Sequence, residues 1–207
     1  MPEYNVYQAH ELAQVSQSLK AHGVLAYPSE SVWGLGCDAF DKVALERIIS
    51  LKSRDIGKGL IVLTDTHEKL RPLFGTLPTD VSQRYLHKLA VLDDTAMITA
   101  KQATTWLIPV PKQVNLPKIL TGEFDTLAVR ITPHPVLKAL CQQLTTDDNP
   151  YGFLVSTSCN PSGQSPAQSL AQAQAYFGHQ VAYLDTQSLN FSKPSQIIDL
   201  QTHQIIR

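Results

Sequence analysis

Phe153-Leu154-Val155-Ser156-Thr157-Ser158-Cys159-Asn160 is the stretch from which the fold is read. Its apolar start reads as a short buried strand. Ser156, Ser158 and Asn160 then stand at i, i+2 and i+4, so on an extended chain all three point one way. An apolar strand ending in a one-sided row of small polar side chains suits a sheet end that lines a cleft. Ligands of α/β sheets bind beyond such ends. Ordinary turn chemistry before Asn160-Pro161-Ser162-Gly163 accounts for the same residues, so the row alone leaves both readings open.

Working outward, other segments alternate between strand and helix. Val24-Leu25-Ala26-Tyr27, Leu60-Ile61-Val62-Leu63, Thr95 to Thr99, Thr104 to Ile108 and Thr126 to Ile131 read as strands, as do Val181 to Leu184 and Gln196 to Leu200. A first helix is predicted from Gln8 to His22, with Leu12, Val15 and Leu19 on one face and Gly23 as its stop. A second follows Asp41 as N-cap, with Val43, Ile48 and Leu51 inward and Lys42, Glu46 and Arg47 outward. His134 to Leu144 and Ala167 to Phe177 read as two more, the last ended by Gly178. This alternation predicts an α/β fold. The close strand candidates at 95–108 predict a mixed sheet, because only antiparallel neighbours can be joined so briefly.

The chain has 207 residues, a formal net charge of −1, 43% hydrophobic and 17% charged residues. That balance excludes a disordered chain. The length is sufficient for a real core in one large domain or two small ones. No stretch approaches the ~20 apolar residues that span a bilayer, and Met1-Pro2-Glu3-Tyr4-Asn5 lacks the features of a signal peptide. A cytoplasmic protein is expected. Cys37, Cys141 and Cys159 form no C-x-x-C pair and are expected as reduced thiols. The scattered histidines give no zinc-ligand spacing, and no protein-built metal site is expected.

The charge is unevenly spread. No Lys or Arg lies between Ala139 and Ser192, whereas Lys42, Arg47, Lys52, Arg54 and Lys58 cluster against Asp41, Glu46 and Asp55. A solvated helix face and a local anion site both fit this cluster. Lys52-Ser53-Arg54 falls where the second helix ends. If the chain has turned there, Lys52 and Arg54 share a side and converge on one anion, with Lys58 returning from the loop. Arg130 closes the apolar strand from Thr126, and a buried Arg needs a partner. A structural carboxylate and a ligand carboxylate or phosphate are both open. Gly34-Leu35-Gly36-Cys37-Asp38-Ala39 fits the dinucleotide pattern G-x-G-x-x-A, but Pro28-Ser29-Glu30-Ser31 interrupts the strand that pattern needs. The glycines are read instead as permitting a tight turn or a close backbone approach.

Taken in order, these segments resemble the YrdC/Sua5 family. Tyr27-Pro28-Ser29-Glu30-Ser31-Val32-Trp33-Gly34-Leu35-Gly36 is similar to its Y-P-T-E-T-x-Y-G-L-G signature. Lys52-Ser53-Arg54 is similar to its K-x-R segment, Leu127-Ala128-Val129-Arg130-Ile131 to its A-V-R-x-P region, and Ser156 to Gly163 to its S-A-N-x-S-G segment. Pro194-Ser195-Gln196-Ile197-Ile198-Asp199 resembles a late S-T-x-x-D segment, and Ile205-Ile206-Arg207 a closing I-x-R. The resemblance implies a twisted, open mixed sheet flanked by helices around a large concave cavity, the dsRBD-type α/β twist. Residues 1–207 would form one domain, like the short members of the family.

It also implies an L-threonylcarbamoyladenylate synthase that joins L-threonine, bicarbonate and ATP and releases pyrophosphate. The product would serve the threonylcarbamoyl modification of adenosine 37 in tRNA, with tRNA and separate transferase subunits as partners. By carry-over, Lys52 and Arg54 serve the chemistry. Arg54, Lys58, Thr126, Ser158, Asn160 and Arg207 bind ATP, and Ser31, Arg130, Ser156 and Ser195 hold threonine. Mg²⁺ is expected to arrive with ATP. Leu63 stands where some members place a histidine near threonine, and Ala100 to Thr105 lacks the Trp, Pro and Gly of the family's W-P-G-P-x-T segment. An RNA-binding protein of the same fold, or a paralogue working on another carbamoyl-type adenylate, are the alternative functions.

Overall fold

The structure is a computed structural model that describes residues 4–91, 93–193 and 195–207. Residues 1–3 and Pro194, part of segments quoted above, lie outside that description. In chain order the elements are β1 (Val6–Gln8), α1 (Leu12–Lys20), β2 (Leu25–Pro28), β3 (Trp33–Gly36), α2 (Lys42–Lys52), β4 (Ile61–Thr64), α3 (Thr79–Val91) and α4 (Asp94–Ala100). Then come β5 (Thr104–Pro109), α5 (Lys118–Thr121), β6 (Thr126–Ile131), α6 (Pro135–Leu144), β7 (Leu154–Ser158), α7 (Leu170–Phe177), β8 (Ala182–Asp185) and β9 (Gln196–Asp199). No described helix is long and apolar enough to cross a membrane.

One sheet runs β1-β8-β2-β3-β7-β4-β6-β5-β9. It is mixed: β4 and β6 are parallel, as are β5 and β9, while β7 is antiparallel to both of its neighbours, β3 and β4. Strand alternation splits the side chains between two faces. Leu25, Tyr27, Leu63 and Leu154 pack with Leu12, Val15, Leu19, Leu137, Leu140 and Leu144 of α1 and α6. Their chain neighbours Ala26, Val62, Phe153 and Val155 join Leu45, Ile48 and Phe74 on the other face. A sheet buried on both faces explains why these strands read as continuous apolar runs rather than alternating ones.

Several expectations are corrected. Thr95 to Thr99 is helical within α4, not a strand: the Asp93 carboxylate accepts from the Ala96 amide at 2.8 Å and caps it, and Met97 is buried. The cap outweighs the β-branched residues there. The sheet is mixed, but not because of a hairpin at 95–108. In α2 the inward residues are Ala44, Leu45, Ile48 and Lys52, and Val43 is 56% exposed. The first helix starts later than Gln8, which ends β1. His22, not Gly23, takes the left-handed conformation after α1 (φ 64°). Gly23 is needed for space, since a Cβ there would lie 2.4 Å from the Ser18 carbonyl oxygen.

Candidate active site

A cavity of about 630 Å³ lies against the sheet. Its floor is the polar end of β7. Ser156 and Ser158 of the expected row line it, with Thr157 between them, whereas Asn160, the third member of that row, is not on the wall. Gly34 and Gly36 lie on β3 beside β7, where the backbones close together: a Cβ on Gly36 would fall 1.9 Å from the Val155 carbonyl oxygen, and one on Gly34 2.8 Å from the Tyr27 ring. They serve close approach on a strand and do not form the turn of a dinucleotide fingerprint.

The β2–β3 turn forms one wall. The Ser29 hydroxyl and amide both donate to the Val32 carbonyl, at 2.6 and 3.1 Å, which turns Glu30 and Ser31 into the cavity. The 187–193 segment straps this turn: the Ser188 hydroxyl donates to Ser29 O at 2.8 Å and the Phe191 amide to Glu30 O at 2.7 Å. That strap brings Phe191, Ser192 and Lys193 to the wall.

Arg130 meets Glu30 here. Its Nη1 donates to Glu30 Oε2 at 2.9 Å, and its Nε to Thr105 Oγ1 at 3.2 Å. The Thr132 hydroxyl donates to Glu30 Oε1 at 2.6 Å. Burial by itself would raise the Glu30 carboxyl, but the Arg130 charge and the Thr132 and Arg130 hydrogen bonds outweigh it and hold it below its ordinary value. Arg130 therefore has a structural carboxylate and also faces the cavity.

At the far end stands Arg54. α2 stops at Ser53 in the left-handed conformation (φ 46°), which swings Lys52 and Arg54 apart. Arg54 Nη2 donates to Gly59 O at 3.0 Å, and its Nε is buried without a hydrogen-bond partner among the described residues. Burial pulls its guanidinium below the ordinary value. Lys52 is 6% exposed and off the cavity wall. Its ammonium donates to the Ser158 carbonyl and, at 2.7 Å, to that of Asn160. Burial, then repulsion from Arg54, brings Lys52 down to about 8.

Of the other expected residues, Ser31, Ser195 and Arg207 line the cavity. Arg207 Nη2 donates to Ser195 Oγ at 3.0 Å, and the Ile197 amide donates to Arg207 O at 2.9 Å, which holds the tail on β9. Lys58, Thr126 and Asn160 are not on this wall: Lys58 is exposed, Thr126 starts β6, and the Asn160 amide donates to Pro161 O and Gln164 O. Leu63 is buried on the opposite face among α1 and α6 residues. Sequence reasoning assigned no role to Glu30, Thr105, Gln168 or Lys193. Glu30 was findable, because a lone Arg in an apolar strand demands a carboxylate and Glu30 sits inside the quoted β2–β3 signature. Nothing in the sequence pattern pointed to Gln168 or Lys193. Among the described residues no group of three or more His, Cys, Asp or Glu is placed to hold a metal.

The protein is an α/β protein built on one mixed sheet, with a cavity lined by hydroxyls and arginines, a lining suited to an anionic ligand. The sequence matches the family model described as "Sua5_yciO_yrdC: Telomere recombination" over residues 17–207. It is 54% identical to the threonylcarbamoyl-AMP synthase of Moraxella catarrhalis (strain BBH18), over 98% of this chain and 97% of that protein. It is 45% identical to the protein of that name from Psychrobacter cryohalolentis, over 94% of each. The chain belongs to the Sua5/YciO/YrdC family. E. coli YciO shares the fold with a TM-score of 0.72 at 20% identity, over 100% of this chain and 95% of that one. P. abyssi Sua5, crystallised with L-threonine, gives 0.75 at 20% identity, and this chain spans 57% of it.

Proposed function

We propose that this chain is an L-threonylcarbamoyladenylate synthase, joining L-threonine, bicarbonate and ATP with release of pyrophosphate. The relatives that carry this activity in their names match nearly the whole chain. The observation that carries the reading is one cavity with two unlike arginines, Arg130 tied to Glu30 and Arg54 with an unpartnered Nε, and a row of hydroxyls between them.

In this reading Arg130 takes the threonine carboxylate, with Ser31, Ser156 and Ser195 around the rest of the amino acid. Arg54 and Ser158 take the nucleotide, with Arg207, and Lys58, Thr126 and Asn160 serve parts of it that extend beyond this cavity. Threonine's amine and bicarbonate give a carbamate with loss of water. Its oxygen attacks the α-phosphorus, and the bond to the leaving pyrophosphate breaks. Such a centre needs alignment and charge neutralisation more than a protein nucleophile. Lys52 acts through the turn it holds, since its ammonium sits on the carbonyls of Ser158 and Asn160. Mg²⁺ enters on the triphosphate, as part of the substrate. The 1–207 chain works as one cytoplasmic domain, its product passing to transferase subunits that act on tRNA.

The test is pyrophosphate release by the purified protein with ATP and Mg²⁺, with and without L-threonine and bicarbonate. Release that needs both supports the reading; ATP turnover indifferent to threonine overturns it.

A further inference from the structure

The charges lining the cavity are unequal: among the described residues Arg54, Arg130, Lys193 and Arg207 face a single acid, Glu30. That acid is spent wholly on one of the four. Its side chain is 2% exposed, it lies 2.9 Å from Arg130 Nη1, and Thr132 holds its other oxygen. The remaining donors of Arg130 are narrowed as well, because Nε is taken by Thr105. Two of its five N–H groups are thus engaged within the protein, and the Nε–Nη edge of the guanidinium is closed to a bidentate ligand.

Arg54 differs on each count. Its Nε has no partner, and Lys52 beside it adds to the positive field. The acid that acts on it, Asp55, does not line the cavity. The two arginines are held from different places: Arg54 is tied to the Gly59 carbonyl ahead of β4, and Arg130 on β6 pairs in register with Leu63 within β4.

We propose that Glu30 is a specificity-determining residue: by cancelling the charge of Arg130 it reserves that end of the cavity for a zwitterionic amino acid and keeps polyphosphate at the Arg54 end. The proposal rests on the synthase reading. A zwitterion brings one negative and one positive group, which suits a paired arginine and carboxylate. A phosphate chain brings only negative charge and meets the Glu30 carboxylate as a repulsion. Without this sorting, ATP and the pyrophosphate product would occupy the amino-acid end and block threonine.

Calorimetric titration of L-threonine and inorganic pyrophosphate tests this. In the wild-type chain the two should bind together, with saturating threonine leaving the pyrophosphate Kd within about twofold. In Glu30→Gln, pyrophosphate should tighten about tenfold, threonine should weaken about tenfold, and the two should become mutually exclusive. The double variant Glu30→Gln/Arg130→Gln, neutral again, should return pyrophosphate to its wild-type Kd. Competition in the wild-type chain, or a Glu30→Gln chain whose pyrophosphate binding is unchanged, overturns the proposal. If Glu30→Gln does not fold, the wild-type displacement decides alone. Absence of threonine binding by the wild-type chain overturns the synthase reading and this proposal together, whereas threonine that pyrophosphate displaces overturns this proposal only.

Discussion

Replacing Arg130 by Met strands a carboxylate in the protein interior. Glu30 is 1% exposed, and Arg130 is its counter-charge at 2.9 Å. Removing one member of such a pair costs about 3–5 kcal/mol, because the survivor keeps its desolvation penalty. The Thr132 hydroxyl still donates to Glu30, so the lower part of that range is expected, about 3 kcal/mol. For a chain of this size that lowers Tm by roughly 6–12 °C. The double variant Glu30→Gln/Arg130→Met buries no charge and should lose only about 1–2 kcal/mol, less than the single Arg130→Met.

Protonation supplies a second signature. In the wild type Glu30 is held below its ordinary value, so its contribution is present above the unfolded pKa of ~4.3 and lost as pH falls through the folded value. In Arg130→Met the opposing charge is gone, burial outweighs the Thr132 hydrogen bond that remains, and the carboxyl moves up. Proton uptake then relieves the variant as pH falls from about 7 to 4, and the gap to wild type should close. Urea denaturation at pH 7.5, 6 and 4.5, read as the midpoint at constant m, measures both effects. A loss below about 1 kcal/mol at pH 7.5, or a gap that does not change with pH, would refute the claim that Glu30 is a buried charge held by Arg130.

Arg54→Ala should lower turnover about 10²-fold or more in a pyrophosphate-release assay, as expected for a cation facing developing phosphate charge; near-wild-type turnover would remove it from the chemistry. Gly36→Ala places a Cβ 1.9 Å from Val155 O, so β3 and β7 must part, and urea midpoints should show a loss of about 2 kcal/mol or more; an unchanged midpoint contradicts the close approach. Lys52 is at about 8 in the folded chain and ~10.4 unfolded, so the unfolded state holds more protons between those values and stability should climb as pH rises through that window. Lys52→Met should abolish the climb, and identical pH curves for variant and wild type would show that the ammonium is not buried on those carbonyls.

Local chemistry made much of this legible. Asp41 caps α2 through the Ala44 amide, and Leu12, Val15 and Leu19 face the core at helical spacing as read. β6 begins at Thr126 and ends at Ile131 as expected. What stayed hidden depends on distant partners. β3 looks like a glycine turn until β7 lies against it, and Val43 looks apolar enough to be inward until Ala44 and Leu45 fix the helix phase. In the site, Arg130 announced a partner without naming it. Lys52 seemed to belong with Arg54, but one left-handed residue between them sends the two cations to different neighbours, and no spacing rule reveals that. The strap at 187–193 has no periodicity and, before Lys193, no charge, so its hold on Ser29 and Glu30 left no trace in the pattern.

The strand order also constrains when the molecule can finish folding. β2 and β3 form an early hairpin, yet its outer neighbours are β8 on one side and β7 on the other, both from the last third of the chain. During synthesis the hairpin therefore waits with both edges open while more than a hundred residues emerge. Contacts so remote in sequence slow closure and leave strand edges exposed to other chains. The two-sided burial of the finished sheet is thus bought with an unprotected interval on the ribosome, and substitutions that weaken β7 should show first as aggregation of nascent protein rather than as a lower melting temperature.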